Sequence, residues 1–253
     1  RRNVLSPYII VALFFTALFA PIISANDTTI SSNTTWSGNI TLEGNVTISQ
    51  GTTLIVAPGT TIDGGDGFAI EVYGTLNAQS CYFYSSANPT AQSSHGQGLW
   101  QGIVIKSGGS ATITDVEIEN TNVGVKSEGN LDVDNLTVRD SYLGIKNYGT
   151  ANVEEFYSEY IDYEAIMNSG SLTLSAANIS NTSTGIQSTG TLEVTNSSFS
   201  HIGAAITVNS GAATVNQIRL HTVSVGLSSV AGVKFSAANI TGTDVALLVD
   251  MAN

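Results

Sequence analysis

The chain has 253 residues, with 20 acidic residues against 8 Lys and Arg, so its formal net charge is −12. This charge excludes a basic stripe that could hold phosphate groups, and it disfavours nucleic acids and anionic membrane surfaces as partners. The single cysteine, Cys81, excludes an internal disulfide framework, and its alternating neighbours indicate a small apolar core residue.

Residues 1–25 have the layout of an export signal. Two arginines precede an apolar run, and the small-residue ending Ile23-Ser24-Ala25 closes it. The apolar run at 9–23 is shorter than the roughly 20 residues needed to cross a bilayer. We expect a signal peptide cleaved after Ala25, with an uncleaved anchor as the alternative, and a mature protein that is secreted or displayed at the cell surface.

Residues 26–50 are expected to form an N-terminal cap and a first coil, with Trp36 lying over the end of the core. The stretch 44–62 then alternates apolar and polar residues and turns at Pro58-Gly59. Such alternation, broken by a proline-glycine pair, is typical of short strands joined by tight turns.

The segment DGGDGF at 63–68 resembles one calcium-binding turn, with Asp63 and Asp66 as candidate ligands. Such turns work in tandem, and this one is single, so an ordinary glycine-rich corner is the alternative. Calcium is the one cofactor that the sequence leaves open.

Residues 86–98 form the longest departure from the pattern and predict a loop insertion. Loops of this kind often shape binding sites on a regular scaffold. The insertion contains His95, which we expect to be solvated rather than catalytic or metal-bound.

A repeat of 20 or 21 residues occupies the second half of the chain, and a fixed period of that size is typical of a solenoid. Each unit holds three short apolar alternations separated by polar corners, with no helix pattern between them. The repeat is marked by glycines and by two sets of corner residues expected to form ladders: Gly109, Gly129, Gly149, Gly170, Gly190 and Gly211; Asn120, Asp140 and Asn181; Ser127, Asn147, Ser188 and Ser229.

The predicted fold class is therefore all-β. Residues 51–253 are expected to form a right-handed, single-stranded parallel β-helix, and the whole solenoid to have about ten coils of roughly 20–23 residues with three short strands per coil. Because the apolar alternation is still running at the last residues, we expect the sequence to be truncated at its C-terminus, where an anchor would be unseen.

Four phrases in the first coils carry a family resemblance: GTTLIVAPGTTI at 51–62, VYGTLNA at 72–78, CYFYSS at 81–86 and LWQGIVI at 99–105. Together they resemble the opening coils of secreted right-handed β-helix repeat proteins of the pectin-lyase-like superfamily. The resemblance covers nearly all of the mature chain and implies the fold. It implies no single activity, because members include polysaccharide lyases and hydrolases, accessory periplasmic proteins and adhesin-like proteins.

Three acids form the sharpest catalytic hypothesis. Asp132, Asp134 and Glu154 are predicted to point outward from consecutive coils, within about 5 Å of one another, the separation used by paired carboxylates in retaining glycosidases. A solvated acidic face is the alternative, because a chain with 20 acids produces such neighbours by chance.

A second charged set, Glu119, Arg139 and Glu159, is predicted to stack on three successive coils. An arginine between two acids could be interpreted as a catalytic base beside a cation site. Two flanking carboxylates favour its protonated form, however, so we interpret the set as a charge-matched surface ladder.

Tyr142, Tyr157 and Tyr160 are candidates for a sugar-stacking platform, although aromatic residues are also good strand formers. His201 and His221 lie about one coil apart and are expected to approach each other. They offer a weak case for a metal-delivery protein, since no third ligand is evident.

Sequons for N-glycosylation are numerous, and several fall on outward strand positions where glycans would coat the rod. They are Asn26, Asn33, Asn39, Asn45, Asn135, Asn178, Asn181, Asn196 and Asn239.

The sequence favours an exported, non-enzymatic β-helix rod that serves as a cell-surface structural, adhesin-like or glycan-contacting module. The expected partner is a cell-surface or extracellular polysaccharide, and membrane contact is expected only through the signal segment or an unseen C-terminal anchor. The alternative is a polysaccharide lyase or glycoside hydrolase that uses the acidic face on adjacent coils.

Overall fold

The computed structural model describes residues 27–87, 100–230 and 232–249, and these residues form strands and turns without a helix. In chain order the strands are β1 (Thr28–Ile30), β2 (Thr34–Trp36), β3 (Asn39–Thr41), β4 (Val46–Ile48), β5 (Thr53–Val56), β6 (Thr61–Asp63), β7 (Ala69–Val72), β8 (Thr75–Tyr84), β9 (Gly102–Ile105), β10 (Ser110–Glu119), β11 (Val123–Ser127), β12 (Asn130–Ser141), β13 (Leu143–Asn147), β14 (Thr150–Asn168), β15 (Ser171–Ser175), β16 (Asn178–Ser188), β17 (Thr191–Thr195), β18 (Ser198–Val208), β19 (Ala213–Ser229) and β20 (Val233–Val249).

Every strand pairs in parallel with the strand one coil later, so the chain winds into a parallel β-helix of about nine turns, close to the ten predicted. We call its faces the first, second and third sheets, in the order in which the chain meets them: β1, β2 and β3 begin them and pair with β4, β5 and β6. This architecture confirms the predicted all-β parallel β-helix.

The core is a column of inward-facing aliphatic side chains. Leu131 and Val133 are 3% and 2% exposed, and Leu172 and Leu192 are 1% exposed, as the alternation predicted. Burying each such side chain contributes about 1.5–3 kcal/mol, so the stacked coils stabilise one another. Trp36 is buried in the core of the first coil, and Cys81 is 6% exposed.

Corners of one residue turn the chain from sheet to sheet. At each of them a non-glycine residue takes the left-handed backbone conformation, which bends an extended chain sharply. From the second sheet to the third these are Ser80, Asp115, Asn135, Glu155, Ala176, Asn196 and Gln217, and from the third to the first they are Asn120, Asp140, Tyr160, Asn181, His201 and Thr222. Strands run through several of these corners without a break, for example at Asp115 and Asn135, and many strands are longer than the short strands predicted.

The repeated glycines stack at the corner between the first and second sheets. A Cβ atom at Gly170 would lie 2.1 Å from the carbonyl oxygen of Gly149, and one at Gly149 would lie 2.1 Å from that of Gly129. That oxygen accepts the backbone hydrogen bond of the residue after the next glycine, for example Ser171 N to Gly149 O at 2.8 Å. Glycine is needed here because the coils approach too closely for a side chain.

A ladder of buried polar side chains lies two residues before the glycines of this corner. Asn147 Nδ2 donates to Asn168 Oδ1 at 2.9 Å, and Asn168 Nδ2 donates to the Ser188 hydroxyl at 3.0 Å. Both asparagines also bond to backbone carbonyls of the adjoining turn, so their buried amides are satisfied. The expected ladder thus exists, but it points inward, and it includes Asn168.

Asn168 joins this ladder because its coil holds one extra residue. The register between β14 and β16 shifts between Ile161 and Glu164, a β-bulge that absorbs the insertion. Glu164 is only 5% exposed there, and no hydrogen-bond partner for its Oε2 is found among the described residues.

Candidate functional site

The acidic face predicted on the second sheet is present. Asp132, Asp134 and Glu154 are all exposed, and Asp134 and Glu154 are direct partners in the pairing of β12 with β14. Asp132 accepts a hydrogen bond from Asn152 Nδ2 at 3.1 Å. The geometry therefore brings two carboxylates side by side at the parallel strand spacing of about 4.8 Å.

The charge ladder on the third sheet is also in register, with Arg139 between Glu119 and Glu159. Among the described residues, the ion pairs of the arginine run towards the earlier coil: its Nη2 lies 3.1 Å from Glu119 Oε2, and its Nε lies 2.6 Å from Glu117 Oε1. Glu159 instead accepts from Asn181 Nδ2 at 3.1 Å.

Tyr82 extends this network to the coil below. Its hydroxyl donates a short hydrogen bond to Glu119, and its ring stacks on Tyr84 with centroids 5.1 Å apart. Burial, together with the bond to Glu119, raises the pKa of Tyr82, so the phenol stays protonated and acts as a donor. The result is a fixed chain of Tyr82, Glu119, Arg139 and Glu117 on the outer face of the third sheet.

A cleft of about 380 Å³ opens beside this chain, at the corner between the second and third sheets. It is lined by Gly59, Thr60, Thr61, Ser80, Cys81, Tyr82, Asp115, Val116, Glu117, Asn135 and Thr137.

The cleft forms where the corner changes length. In the second coil the corner is a turn that includes Pro58 and Gly59 and is closed by Thr60 N to Ala57 O at 3.2 Å, whereas the coils above turn at single residues such as Asp115. Gly59 N also donates to Ser80 O at 2.8 Å, which fixes the turn against the next coil. The wider turn thus forms one wall of the recess.

The carboxylates of the cleft have polar partners. Asp115 Oδ1 accepts from Asn135 Nδ2 at 2.9 Å, and Glu117 pairs with Arg139. The floor is apolar, because Cys81 and Val116 point into the core; burial raises the pKa of Cys81 to about 12, so it stays a thiol. A ligand here would meet hydroxyls, amides and fixed charges above a closed core.

The calcium candidate Asp63 makes hydrogen bonds that hold the local structure. Asp63 Oδ1 accepts from the backbone N–H groups of Gly65 at 3.0 Å and Ser86 at 3.1 Å, and Asp63 Oδ2 accepts from the Ser86 hydroxyl. Asp63 thereby fixes the glycine-rich corner and the start of the 86–98 insertion. Within the described ranges, no group of three or more His, Cys, Asp or Glu side chains could hold a metal, and Asp66 as a ligand stays a prediction.

The candidate tyrosines lie on different parts of the surface. Tyr142 stacks with Tyr163, centroids 5.6 Å apart, on the edge of the first sheet, and the sequence had not singled out Tyr163. Tyr157 is 41% exposed on the third sheet, and Tyr160 is 51% exposed at the adjoining corner. Each is available for contact.

The two predicted neighbours His201 and His221 do approach each other, with ring centroids 5.7 Å apart in an edge-to-face arrangement. His95 and residues 88–98 of the insertion lie outside the described residues, as does the signal segment 1–25. In the part of the chain that the structure describes, no helix is long and apolar enough to span a bilayer.

Sequon asparagines fall into two groups. Asn45, Asn135 and Asn181 donate their side-chain amides to neighbouring carboxylates, and Asn33 accepts from Thr53 N. Other sequons occupy strand positions or a corner, with exposed side chains at Asn39 and Asn178: Asn39, Asn178 and Asn239 on strands, and Asn196 at a corner. Asn26 lies outside the described residues.

Sequence reasoning missed the cleft residues Asp115, Glu117 and Tyr82 as a group. The signal for Tyr82 was present, because the alternation that buries Cys81 and Phe83 turns Tyr82 outward. Its partner Glu119 is 37 residues away, across the insertion, and a period counted from Gly109 could not align the two.

Comparison with solved structures finds similar chains with low sequence identity. The A-modules of the mannuronan C-5 epimerases AlgE6 and AlgE4 from Azotobacter vinelandii share 11% and 10% identity, with TM-scores of 0.36 and 0.35. The matches cover 88% and 90% of this chain and 92% and 89% of those chains. PfbA, a surface adhesin of Streptococcus pneumoniae, shares 9% identity with a TM-score of 0.33, over 88% of this chain and 84% of that chain.

No protein-family model matches the sequence, and no curated protein matches it. At these identities the likeness to the solved structures concerns the fold and carries nothing on activity.

Proposed function

We propose that the protein is an exported, non-enzymatic β-helix module that binds a glycan in the cleft between its second and third sheets. The observation that carries this proposal is the cleft itself, about 380 Å³ in volume. Its rim presents the hydroxyls of Thr61, Ser80 and Thr137, which can donate to and accept from sugar hydroxyls. Tyr82 adds an amphipathic ring whose orientation is fixed.

Binding without turnover is favoured by the state of the cleft carboxylates. Glu119 is held by Tyr82 and Arg139, Glu117 by Arg139, and Asp115 by Asn135. A general base or nucleophile must be free to take a proton or attack a substrate carbon. Carboxylates tied into neighbouring side chains instead provide fixed recognition points. Export, with display or release at the cell surface, rests on the predicted signal peptide at 1–25.

A lyase or glycoside hydrolase is the second candidate, and one observation favours it. Asp134 and Glu154 are in direct register on adjacent strands of the second sheet and are exposed. Carboxyl groups about 5–5.5 Å apart can act as an acid and a nucleophile in glycoside hydrolysis.

The test is a panel of neutral, acidic and amino-bearing hexasaccharides, with and without calcium, measured by calorimetry and by assays for reducing ends and unsaturated products. We expect binding without products. Tyr82→Ala should weaken binding about tenfold or more, the effect of removing a central aromatic contact. The matched control is Tyr73→Ala, which truncates a tyrosine that is 42% exposed on another face.

Two outcomes would contradict the proposal. Products that disappear in Asp134→Asn would establish the enzymatic candidate instead. Absence of binding to every member of the panel, or equal binding by wild type and Tyr82→Ala, would remove the cleft as a glycan site.

A further inference from the structure

The charges around the cleft are unequal. Asp115 and Glu117 line it, and Glu119 accepts a hydrogen bond from the lining residue Tyr82, whereas Arg139 is the cation paired with this group. Three carboxylates against one guanidinium leave the recess with an excess of negative charge. Asn135 compensates Asp115 only as a neutral amide donor.

The neighbouring second sheet increases this excess. The exposed carboxylates of Asp134 and Glu154 directly precede the corner residues Asn135 and Glu155, so they lie along the same edge of the rod as Asp115. Exposed charges act on one another over a Debye length of about 8–10 Å at physiological salt. The acids along this edge therefore act together on anything that enters the cleft.

Two of the lysines at the first sheet are already paired with acids outside the cleft. Lys106 pairs with Glu71 at 2.8 Å, and Lys126 pairs with Glu128 at 2.7 Å. Arg219 lies on the third sheet, but four pairings separate it from Thr137. At about 4.8 Å per coil that is roughly 19 Å, beyond the screening length.

We propose that the cleft selects a glycan carrying protonated amino groups, such as a polymer of deacetylated hexosamine. This inference rests on the proposed function and names the ligand class of the same site. An ammonium group donates three hydrogen bonds and carries the charge that Asp115, Glu117 and the neighbouring acids attract. The threonine and serine hydroxyls of the cleft bind the remaining ring hydroxyls, which favours a sugar over a basic peptide.

The test compares the hexasaccharides of glucosamine and of N-acetylglucosamine, whose sugar rings are the same but whose amino groups are protonated in the first and acetylated and neutral in the second. We expect the amino hexasaccharide to bind about tenfold more tightly, and this advantage to shrink as salt is added. A hexalysine peptide is measured beside them.

Two variants are expected to change the affinity for the amino hexasaccharide in opposite directions. Glu117→Gln should weaken binding of the amino hexasaccharide about threefold to fivefold, the range for an exposed ion pair, and so reduce its advantage over the acetylated one. Arg139→Gln frees two carboxylates and should strengthen binding of the amino hexasaccharide. The control is Glu193→Gln, which removes an exposed carboxylate on β17, away from the cleft.

The failures of the two proposals are distinguishable. Equal affinity for the two hexasaccharides, or an affinity that salt does not change, would overturn the selectivity and leave a glycan site in place. Preference for an acidic or neutral hexasaccharide would likewise overturn the selectivity for amino groups and leave a glycan site in place. Tight binding of hexalysine with no binding of any sugar would overturn both proposals.

Discussion

The first coils and the later coils share three sheets but differ in the corner between the second and third sheets. From Asp115 onward that corner is a single residue in every described coil. In the second coil it is a turn around Pro58 and Gly59, and the cleft lies next to it. The difference shows that a solenoid gains a recess where a corner changes length, while its uniform coils provide the support.

The largest effect should come from the glycine corner of the uniform coils. Gly170→Ala would place a Cβ atom 2.1 Å from the carbonyl oxygen of Gly149 and 2.6 Å from the carbonyl carbon of Tyr148. Backbone atoms cannot move away without breaking the coil pairing, so we expect a loss of about 3 kcal/mol in the free energy of unfolding, measured by chemical denaturation.

The matched substitution in the first coils is Gly59→Ala. Gly59 has a φ of +77°, but a Cβ atom there would meet nothing within 4 Å. The expected cost is about 1 kcal/mol, from the left-handed conformation alone. Equal losses at the two glycines would contradict this distinction. It states that close approach of the coils excludes a side chain at Gly170, whereas only the left-handed backbone conformation disfavours one at Gly59.

A smaller loss is expected from the buried amide ladder. Asn168→Ala would leave Asn147 Nδ2 without its 2.9 Å acceptor and would also remove the bond to Ser188. Leaving a buried polar group unpaired costs about 1–3 kcal/mol, so we expect roughly 2 kcal/mol in the free energy of unfolding.

Asn152→Ala is the control for that variant, because Asn152 is exposed and its side chain bonds only to Asp132 across the surface. We expect a change within about 0.5 kcal/mol. A comparable loss for both asparagines would mean that burial of the ladder adds nothing to coil stacking.

Regular features of the rod were predictable because each follows from the period. The glycine spacing put Asp134 beside Glu154 and Glu119 beside Arg139, and the pairing of the strands confirms both. The period predicted a ladder of corner residues that includes Asn147 and Ser188, but it says nothing about which way a corner side chain turns, so the burial of the ladder did not follow from it.

Features that depend on breaks in the period could not be predicted in this way. The bond from Tyr82 to Glu119 crosses the insertion, and the cleft depends on the length of the turn at Pro58. The burial of Glu164 depends on where the chain places one extra residue, and the sequence does not fix that position.

Glu164 gives the smallest expected effect. It tests whether the irregular coil among the later coils holds a side chain that lowers the stability of the fold. Burial raises its pKa above the ordinary value of 4.5, so the folded state binds a proton more tightly than the unfolded state. The resulting stabilisation is complete below the unfolded pKa and is lost as pH rises through the higher folded pKa. Glu164→Gln has no carboxyl group to ionise at this position, so its free energy of unfolding does not fall with rising pH for this reason.

We therefore expect Glu164→Gln to be about 1 kcal/mol more stable than wild type at neutral pH and to show a flatter stability profile as pH rises above about 4.5. The control Glu193→Gln changes an exposed carboxylate and should leave the free energy of unfolding within about 0.5 kcal/mol. If Glu164→Gln were instead less stable than wild type at neutral pH, the carboxylate would be stabilising the bulge through contacts of its charged form. The irregular coil would then resemble the glycine-rich corner at 63–68, where Asp63 fixes an irregular segment through hydrogen bonds to Gly65 and Ser86.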